Sequence, residues 1–453
     1  MHMDKLILVT GATGYIASRL IPRLLDAGYR VRCLAREPRR LNGRSWFRHV
    51  EVIQGDVTMP STLRMALDGV HTAYYLIHNM TYGHGYTELE LDSARAFASA
   101  AEEAGVDHII YLGGLADPEQ HIAPHMRSRI ETGRVLREGK VPVTEFRAGV
   151  ITGSGSISFE MIRFMTELFP ILPGPLWLKN KSQPIAIQNV IDYLFAALTN
   201  PNGRGGVFEI GGPDVTTYGD LMMRYAQIRK LKRRMFLIPG IPLWFMALGV
   251  GLMTPVPHRI AYALIGGLSA DSIVKHPEAL KVFPEVKLID YETATKDALA
   301  KTNPSDIERV WDQRQDFGSL PPSTSGKVLK TSDVWTSLKH EGCFVDHGET
   351  LVRAKSEKVI QVIEHSIEQP LIIETSTDST KLMLHSSNRS IGEEWMEWRI
   401  SPIRSLSFTY LTQTIFFCPH GLPGFLYWFF FYPFLFMNFR GLMKIIAKRS
   451  ETQ

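Results

Sequence analysis

The sequence predicts an α/β chain: a doubly wound parallel sheet with a small substrate-side subdomain woven into it, followed by an α+β domain. Three observations predict it. Over roughly the first 150 residues, short apolar runs alternate with helical patterns, as βαβ units require. The first apolar run ends in a glycine-rich turn that opens a helix. Much later, Gly318, Pro321, Pro322, Ser323, Ser325 and Gly326 crowd into residues 314–333, a linker composition, and the pattern changes beyond it.

The elements follow in order. Residues 6–9 read as a fully buried strand, and 15–27 as an amphipathic helix closed by Gly28. Residues 30–35, 50–53 and 72–77 are the next strands. A strong helix over 88–104 stops at Gly105, and strands follow at 108–112 and 143–146. Between 150 and 310 the pattern loosens, with helices expected at 159–169, 188–198, 220–229 and 292–300 and a strand at 207–210. Past the linker, a strand (349–354) and a helix (356–367) precede strand-like runs at 371–375, 381–385, 395–400 and 407–417 and a terminal helix over 422–448. The expected boundaries are 4–313 for the first domain with its subdomain at about 150–310, 314–333 for the linker and 334–450 for the last domain.

Composition agrees with 453 residues forming more than one globular domain. With 45% hydrophobic and 21% charged residues, wholesale disorder is excluded. A net charge of +4 is too mild to imply nucleic acid, and no nucleic-acid signature is present. Cys33, Cys343 and Cys418 are too few and too scattered for a disulfide framework or a metal site, which fits a reducing compartment. The five-residue apolar run at 6–10 is too short for a signal-peptide core. The expected location is cytoplasmic, with peripheral attachment to the inner face of a membrane as a further option.

The turn reads Thr10-Gly11-Ala12-Thr13-Gly14-Tyr15-Ile16-Ala17. Gly11 allows a tight turn, Gly14 lets backbone approach a pyrophosphate, and the small Ala17 lets helix and strand pack closely. The helix start then offers free N–H groups and the positive end of a dipole. Thr10, Gly11, Thr13, Gly14, Tyr15 and Ile16 are the expected cofactor contacts of this turn. A site for NAD would place an acid about 20 residues further on. Here the second strand runs into Arg36, which can pair with a 2′-phosphate, so NADP(H) is favoured over NAD(H). Arg39 and Arg40 add positive charge, and Glu37 dilutes it. Asp56, ahead of Val57, could accept from an adenine amino group or serve as a turn residue.

Together with Ile110-Tyr111-Leu112-Gly113-Gly114 and Phe146-Arg147-Ala148-Gly149, these runs resemble an atypical short-chain dehydrogenase/reductase of the extended, NmrA-type group. Gln183 to Ile187 and Phe208 to Pro213 resemble that family's substrate-side segments, so the resemblance covers about residues 4–300. It implies a Rossmann fold with Gly11, Gly14 and Ala17 at the pyrophosphate, Asp56 and Val57 at the adenine, and the strand end Leu76, Ile77 and His78 near the ribose. It also implies a Tyr-x-x-x-Lys dyad, which this chain lacks. The matching stretch is His125-Met126-Arg127-Ser128-Arg129, and Gly113-Gly114 stands where a Ser is expected. His125 is the candidate acid and Arg129 the candidate ribose or phosphate anchor.

Residues 340–450 resemble a helix-grip domain of the START and polyketide-cyclase type, on their strand–helix–strands–helix order and on Leu411 to Thr414 before Gly421 to Trp428. That implies a hydrophobic small-molecule ligand. Residues 421–439 are uncharged and crowded with aromatic rings, with Arg440, Lys444, Lys448 and Arg449 after them. Burial, peripheral membrane contact and a membrane span are the three readings, with Pro433 against the last. A second uncharged stretch, 235–257, follows Lys230, Lys232, Arg233 and Arg234. It could line a substrate entrance, dip into a membrane surface or dock on the last domain.

The leading expectation is an NADP(H)-dependent oxidoreductase acting on a hydrophobic or lipid-like substrate. The alternatives are a non-catalytic NADP(H)-binding sensor or accessory protein and, last, a sugar-nucleotide epimerase.

Overall fold

The computed structural model describes residues 5–41, 44–77, 86–117, 119–120, 122–253, 258–301, 344–366, 372–375, 381–388, 390–402 and 408–452. The expected linker and His78 lie outside the described residues. The chain divides into two units, the first including Met1–Thr166 and Ile171–Lys301, the second including Glu167–Pro170 and Arg314–Gln453.

The strands of the first unit are β1 (Leu6–Thr10), β2 (Arg30–Ala35), β3 (Glu51–Gln54), β4 (Thr72–Tyr75), β5 (His108–Gly114), β6 (Val143–Ala148), β7 (Ile151–Thr152), β8 (Ile171–Pro175), β9 (Lys181–Ser182), β10 (Ile185–Ala186), β11 (Val207–Ile210), β12 (Thr216–Thr217) and β13 (Arg234–Ile238). Seven of them form one parallel sheet in the order β3-β2-β1-β4-β5-β6-β11. Its helices are α1 (Ala17–Asp26), α2 (Pro60–Leu67), α3 (Tyr86–Glu103), α4 (Pro124–Arg137), α5 (Ile157–Leu168), α6 (Ile187–Ala196), α7 (Tyr218–Ile228), α8 (Leu243–Met253), α9 (His258–Gly267), α10 (Glu278–Val282) and α11 (Tyr291–Ala300).

Strand side chains alternate between faces, so a strand covered on both must be apolar throughout. β1 is buried at all five positions. Ile7 and Val9 join the core with Leu20, Ile21 and Leu24 of α1 and Val190, Ile191 and Leu194 of α6. Leu6 and Leu8 point to the other face, toward Leu63 and Leu67 of α2, Phe97 of α3 and Leu136 of α4. The strand order turns around between β1 and β4. In such sheets a crevice opens at that point, outside the carboxyl ends of the strands.

One buried polar link has a pH consequence. The Nε2 of His108 lies 2.8 Å from Oγ1 of Thr144, whose hydroxyl donates to the Gly203 carbonyl and accepts from the Gly205 amide. The ring therefore donates through Nε2. Burial depresses its pKa from 6.5 to about 4, with Arg204 adding to the effect. The unfolded chain thus binds the extra proton first, and stability falls as pH drops from 6.5 toward 4. Urea titrations should show the protein losing on the order of 3 kcal/mol more than His108→Gln over that window. Equal losses in the two proteins would remove this residue from the acid limb.

The second unit is an antiparallel sheet with two helices. Its strands are β14 (Phe344–Val352), β15 (Ile372–Thr375), β16 (Lys381–Asn388), β17 (Gly392–Pro402) and β18 (Thr409–Pro419), in the order β14-β18-β17-β16-β15. Val359 and Ile363 of α12 (Ser356–Ser366) and Met443 and Ile446 of α13 (Gly421–Thr452) pack on Trp398, Ile400 and Leu411 of the sheet. A groove in this unit is lined in part by the charged Arg353, Lys355, Glu357, Lys358 and Arg449 and in part by Ala354 and Val362. Among the described residues, no helix is long and apolar enough to cross a membrane. Cys33 is free and buried. Cys418 is disulfide-bonded.

Candidate functional site

The carboxyl ends of the central strands stand in register. Thr10 pairs with Leu34, Ala35 with Gln54, and Tyr75 with Tyr111. Gly11, Arg36, Gly55, Leu76 and Leu112 therefore emerge side by side along one edge, with neighbouring strands about 5 Å apart.

Gly11 adopts φ +65°, and a Cβ there would stand 2.6 Å from the Leu76 carbonyl oxygen. Only glycine meets both conditions. The Gly14 amide donates to the Gly11 carbonyl at 2.8 Å, closing the turn, and Gly14 itself is exposed. The helix start is bare: Ile16, its capping residue, makes no side-chain bond, and the first turn holds no acid. Such an end favours an anion. Thr10 has a different part from the expected contact. Its buried hydroxyl donates to the Tyr74 carbonyl at 2.9 Å and accepts from the Leu76 amide at 3.1 Å. It clamps the ends of β1 and β4 together and so sets the depth of the turn.

Thr13 is half-buried in the turn. Tyr15 is half-buried. Its hydroxyl is buried with no hydrogen-bond partner, at Gly153, where a Cβ would stand 2.5 Å away. The Arg19 guanidinium covers its ring, 3.9 Å from the centroid. Burial pushes the phenol well above its ordinary range, so it stays protonated. Arg36 is exposed at the end of β2. Asp56 accepts from both the amide and the hydroxyl of Thr58, each at 3.0 Å, the geometry of a turn residue. Val57 is buried against Leu63. Ile77 follows Leu76, and both are half-buried.

α4 brings Arg129 to the same edge. Its Nη2 donates to the Leu112 carbonyl at 2.7 Å, and the Tyr111 hydroxyl donates to the Arg129 carbonyl at 2.9 Å. Its Nε is buried with no hydrogen-bond partner. His125, one turn earlier, is only 5% exposed. Its Nε2 would lie 3.0 Å from a Cβ on Gly267 of α9, so the ring packs closely over that glycine. Tyr111 itself is 2% exposed, and burial pushes its phenol up to about 12, although Arg129 opposes the shift.

Sequence reading missed what lies beneath. Glu145, fully buried on β6, pairs with Arg137 of α4 and with Arg147 at 2.7 Å. Gly133 of α4 passes directly over its carboxylate, where any Cβ would collide. The available signal was two charges two apart in a short strand, which share one face.

A parallel sheet with a glycine turn and an uncapped helix start at its switch point, and a basic residue one strand over, defines the dinucleotide-binding Rossmann class. The chain belongs to the NmrA-like family, whose model matches residues 3–203. It is 31% identical over 272 residues to (4-alkanoyl-5-oxo-2,5-dihydrofuran-3-yl)methyl phosphate reductase of Streptomyces griseus, covering 57% of this chain and 85% of the relative. Among solved structures, the triphenylmethane reductase of Citrobacter sp. complexed with NADP(H) superposes with a TM-score of 0.53 at 20% identity, over 64% of this chain and 99% of that one. The NADPH-dependent quinone oxidoreductase of Escherichia coli complexed with NADPH gives 0.53 at 17%, over 64% and 98%. These two likenesses are of fold.

Proposed function

We propose that the chain is an NADP(H)-dependent oxidoreductase that reduces a carbonyl, imine or activated double bond of a hydrophobic substrate. The observation that carries the reading is the turn itself: a left-handed Gly11 against the Leu76 carbonyl, an exposed Gly14 and an acid-free helix start. The cradle fits a pyrophosphate, and Arg36 at the end of β2 fits a 2′-phosphate. The Streptomyces relative is a reductase, and both structures above were solved with NADP(H) or NADPH. NADP(H), when bound, supplies the hydride. Thr10 holds the turn, Arg129 anchors the ribose side of the β5 end, and His125 is the candidate proton donor.

The second unit's sheet with its two helices supports the helix-grip resemblance. The exposed Leu426, Phe429, Phe430 and Phe431 of α13 support peripheral contact of that helix with a membrane.

A second reading, a non-catalytic NADP(H)-binding protein, draws on one observation: His125 is enclosed by α9, and no hydroxyl stands at Gly113-Gly114. Steady-state NADPH oxidation with quinones and conjugated carbonyl compounds separates the two. Turnover that falls at least about tenfold in Arg129→Ala, with NADPH still bound, is the expected result. Tight NADPH binding without turnover on any of these would favour the second reading. Calorimetry with Arg36→Ala tests the cofactor: NADPH should bind about tenfold more weakly, with NADH little changed. An equal change for both cofactors would remove Arg36 from the 2′-phosphate.

A further inference from the structure

Between Asp220 and Asp271 the chain has no Asp or Glu and seven Lys and Arg. The same stretch turns large apolar side chains to water. On β13, Arg234, Phe236 and Ile238 are exposed, while Met235 and Leu237 turn inward. β13 pairs in parallel with β8, placing Ile171 beside Arg234 and Pro173 beside Phe236 on the same outer face. Beyond the turn at Gly240, α8 buries Ala247 and Val250 against Met161 of α5 and Ala261 and Ile265 of α9. Its opposite face presents Trp244, Phe245 and Leu248, at spacings that share one side of a helix. Phe236 is 55% exposed, Trp244 59% and Phe245 57%. Adjacent aromatic residues this open, on a helix with no charge, are not the ordinary scatter of surface apolar groups.

The cations lie at one end of this face: Lys230 and Lys232 are exposed just ahead of Arg234. At eleven residues α8 is far too short to span a bilayer. Aromatic and aliphatic side chains on one face, with basic residues at the margin, are what an interfacial segment needs. A second copy of the chain would bring the same cations against themselves, whereas an anionic surface complements them.

We propose that the β13–α8 segment docks this protein on an anionic lipid bilayer. Trp244, Phe245 and Leu248 enter the headgroup boundary, and Lys230, Lys232 and Arg234 meet lipid phosphates. Docking through this surface does not depend on the chemistry of the cofactor site.

The test uses the full chain and phosphatidylcholine vesicles with and without phosphatidylglycerol. The protein should sediment with the anionic vesicles and far less with the neutral ones. W244S/F245S should weaken that binding at least about tenfold, and K230E/K232E/R234E about 100-fold. Lipids brominated near the headgroup should quench tryptophan emission in the wild type and measurably less in W244F. Unchanged NADPH titrations in every variant establish that the fold and the cofactor site are intact. The proposal is overturned if the wild type ignores anionic vesicles, or if W244S/F245S and K230E/K232E/R234E bind like the wild type. It is equally overturned if W244S/F245S abolishes a dimer while vesicle binding is absent. Loss of binding in F429S/F430S alone, with Trp244 unquenched, would assign the contact to α13 and overturn it too.

Discussion

Gly14→Asp should lower NADPH affinity at least about 100-fold while leaving the apoprotein as stable as before, or slightly more so. The two halves of this result have one cause. The α1 start has neither a side-chain cap nor an acid in its first turn. A carboxylate there complements the helix dipole in the apoprotein and repels a pyrophosphate in the complex. Gly14 is exposed and its φ is not left-handed, and its Cβ would stand 3.0 Å from the Gly11 carbonyl oxygen, so the turn must give by a few tenths of an ångström. Gly11→Ala behaves differently. Its φ of +65° and the 2.6 Å approach to Leu76 tax folding and binding together. Calorimetric titration alongside thermal melting distinguishes the two positions. Retained NADPH affinity in Gly14→Asp would remove the pyrophosphate from this turn.

Glu145→Ala should destabilise the first unit by about 3–5 kcal/mol. Glu145 is fully buried and shared by Arg137 and Arg147, whose side chains are only 27% and 16% exposed. Removing the carboxylate leaves two cations crowded together and largely out of water. A triple change of Glu145→Leu with Arg137→Met and Arg147→Met should recover most of the loss, because it removes the charges together. Urea denaturation reads both. If the triple variant is as unstable as the single one, shape at Gly133 rather than charge is the cause.

Much of the first unit was legible in the chain. The strands at 6–9, 30–35, 50–53, 72–77, 108–112, 143–146 and 207–210 all appear, with ends shifted by a few residues. They are readable because a strand covered on both faces must be apolar throughout, whatever it packs against. The segment at 234–267 was not. Its apolar run with prolines was read as one interrupted stretch, yet it folds as β13, α8 and α9. Proline marks the breaks between elements but does not say what each piece becomes. In the second unit β14 and β17 run longer than their apolar patterns, because hydrogen bonding to β18 extends them through His347, Glu393 and Glu394.

The site divides in the same way. The sequence by itself determined the parallel sheet, the glycine turn and the basic residue following β2, since each depends on neighbours within a few residues or on a single period. Only the tertiary structure decided that Thr10 clamps strands instead of facing the edge, that the Tyr15 hydroxyl lies under Gly153, and that His125 is closed in by Gly267. It also decided that Arg129 reaches the Leu112 carbonyl, that Glu145 sits between two arginines, and that Trp244 and Phe245 face water. The Thr10, Tyr15 and His125 outcomes join positions tens to more than a hundred residues apart. They are set by which faces pack together, and a side chain's direction is known only once its opposing surface is in place.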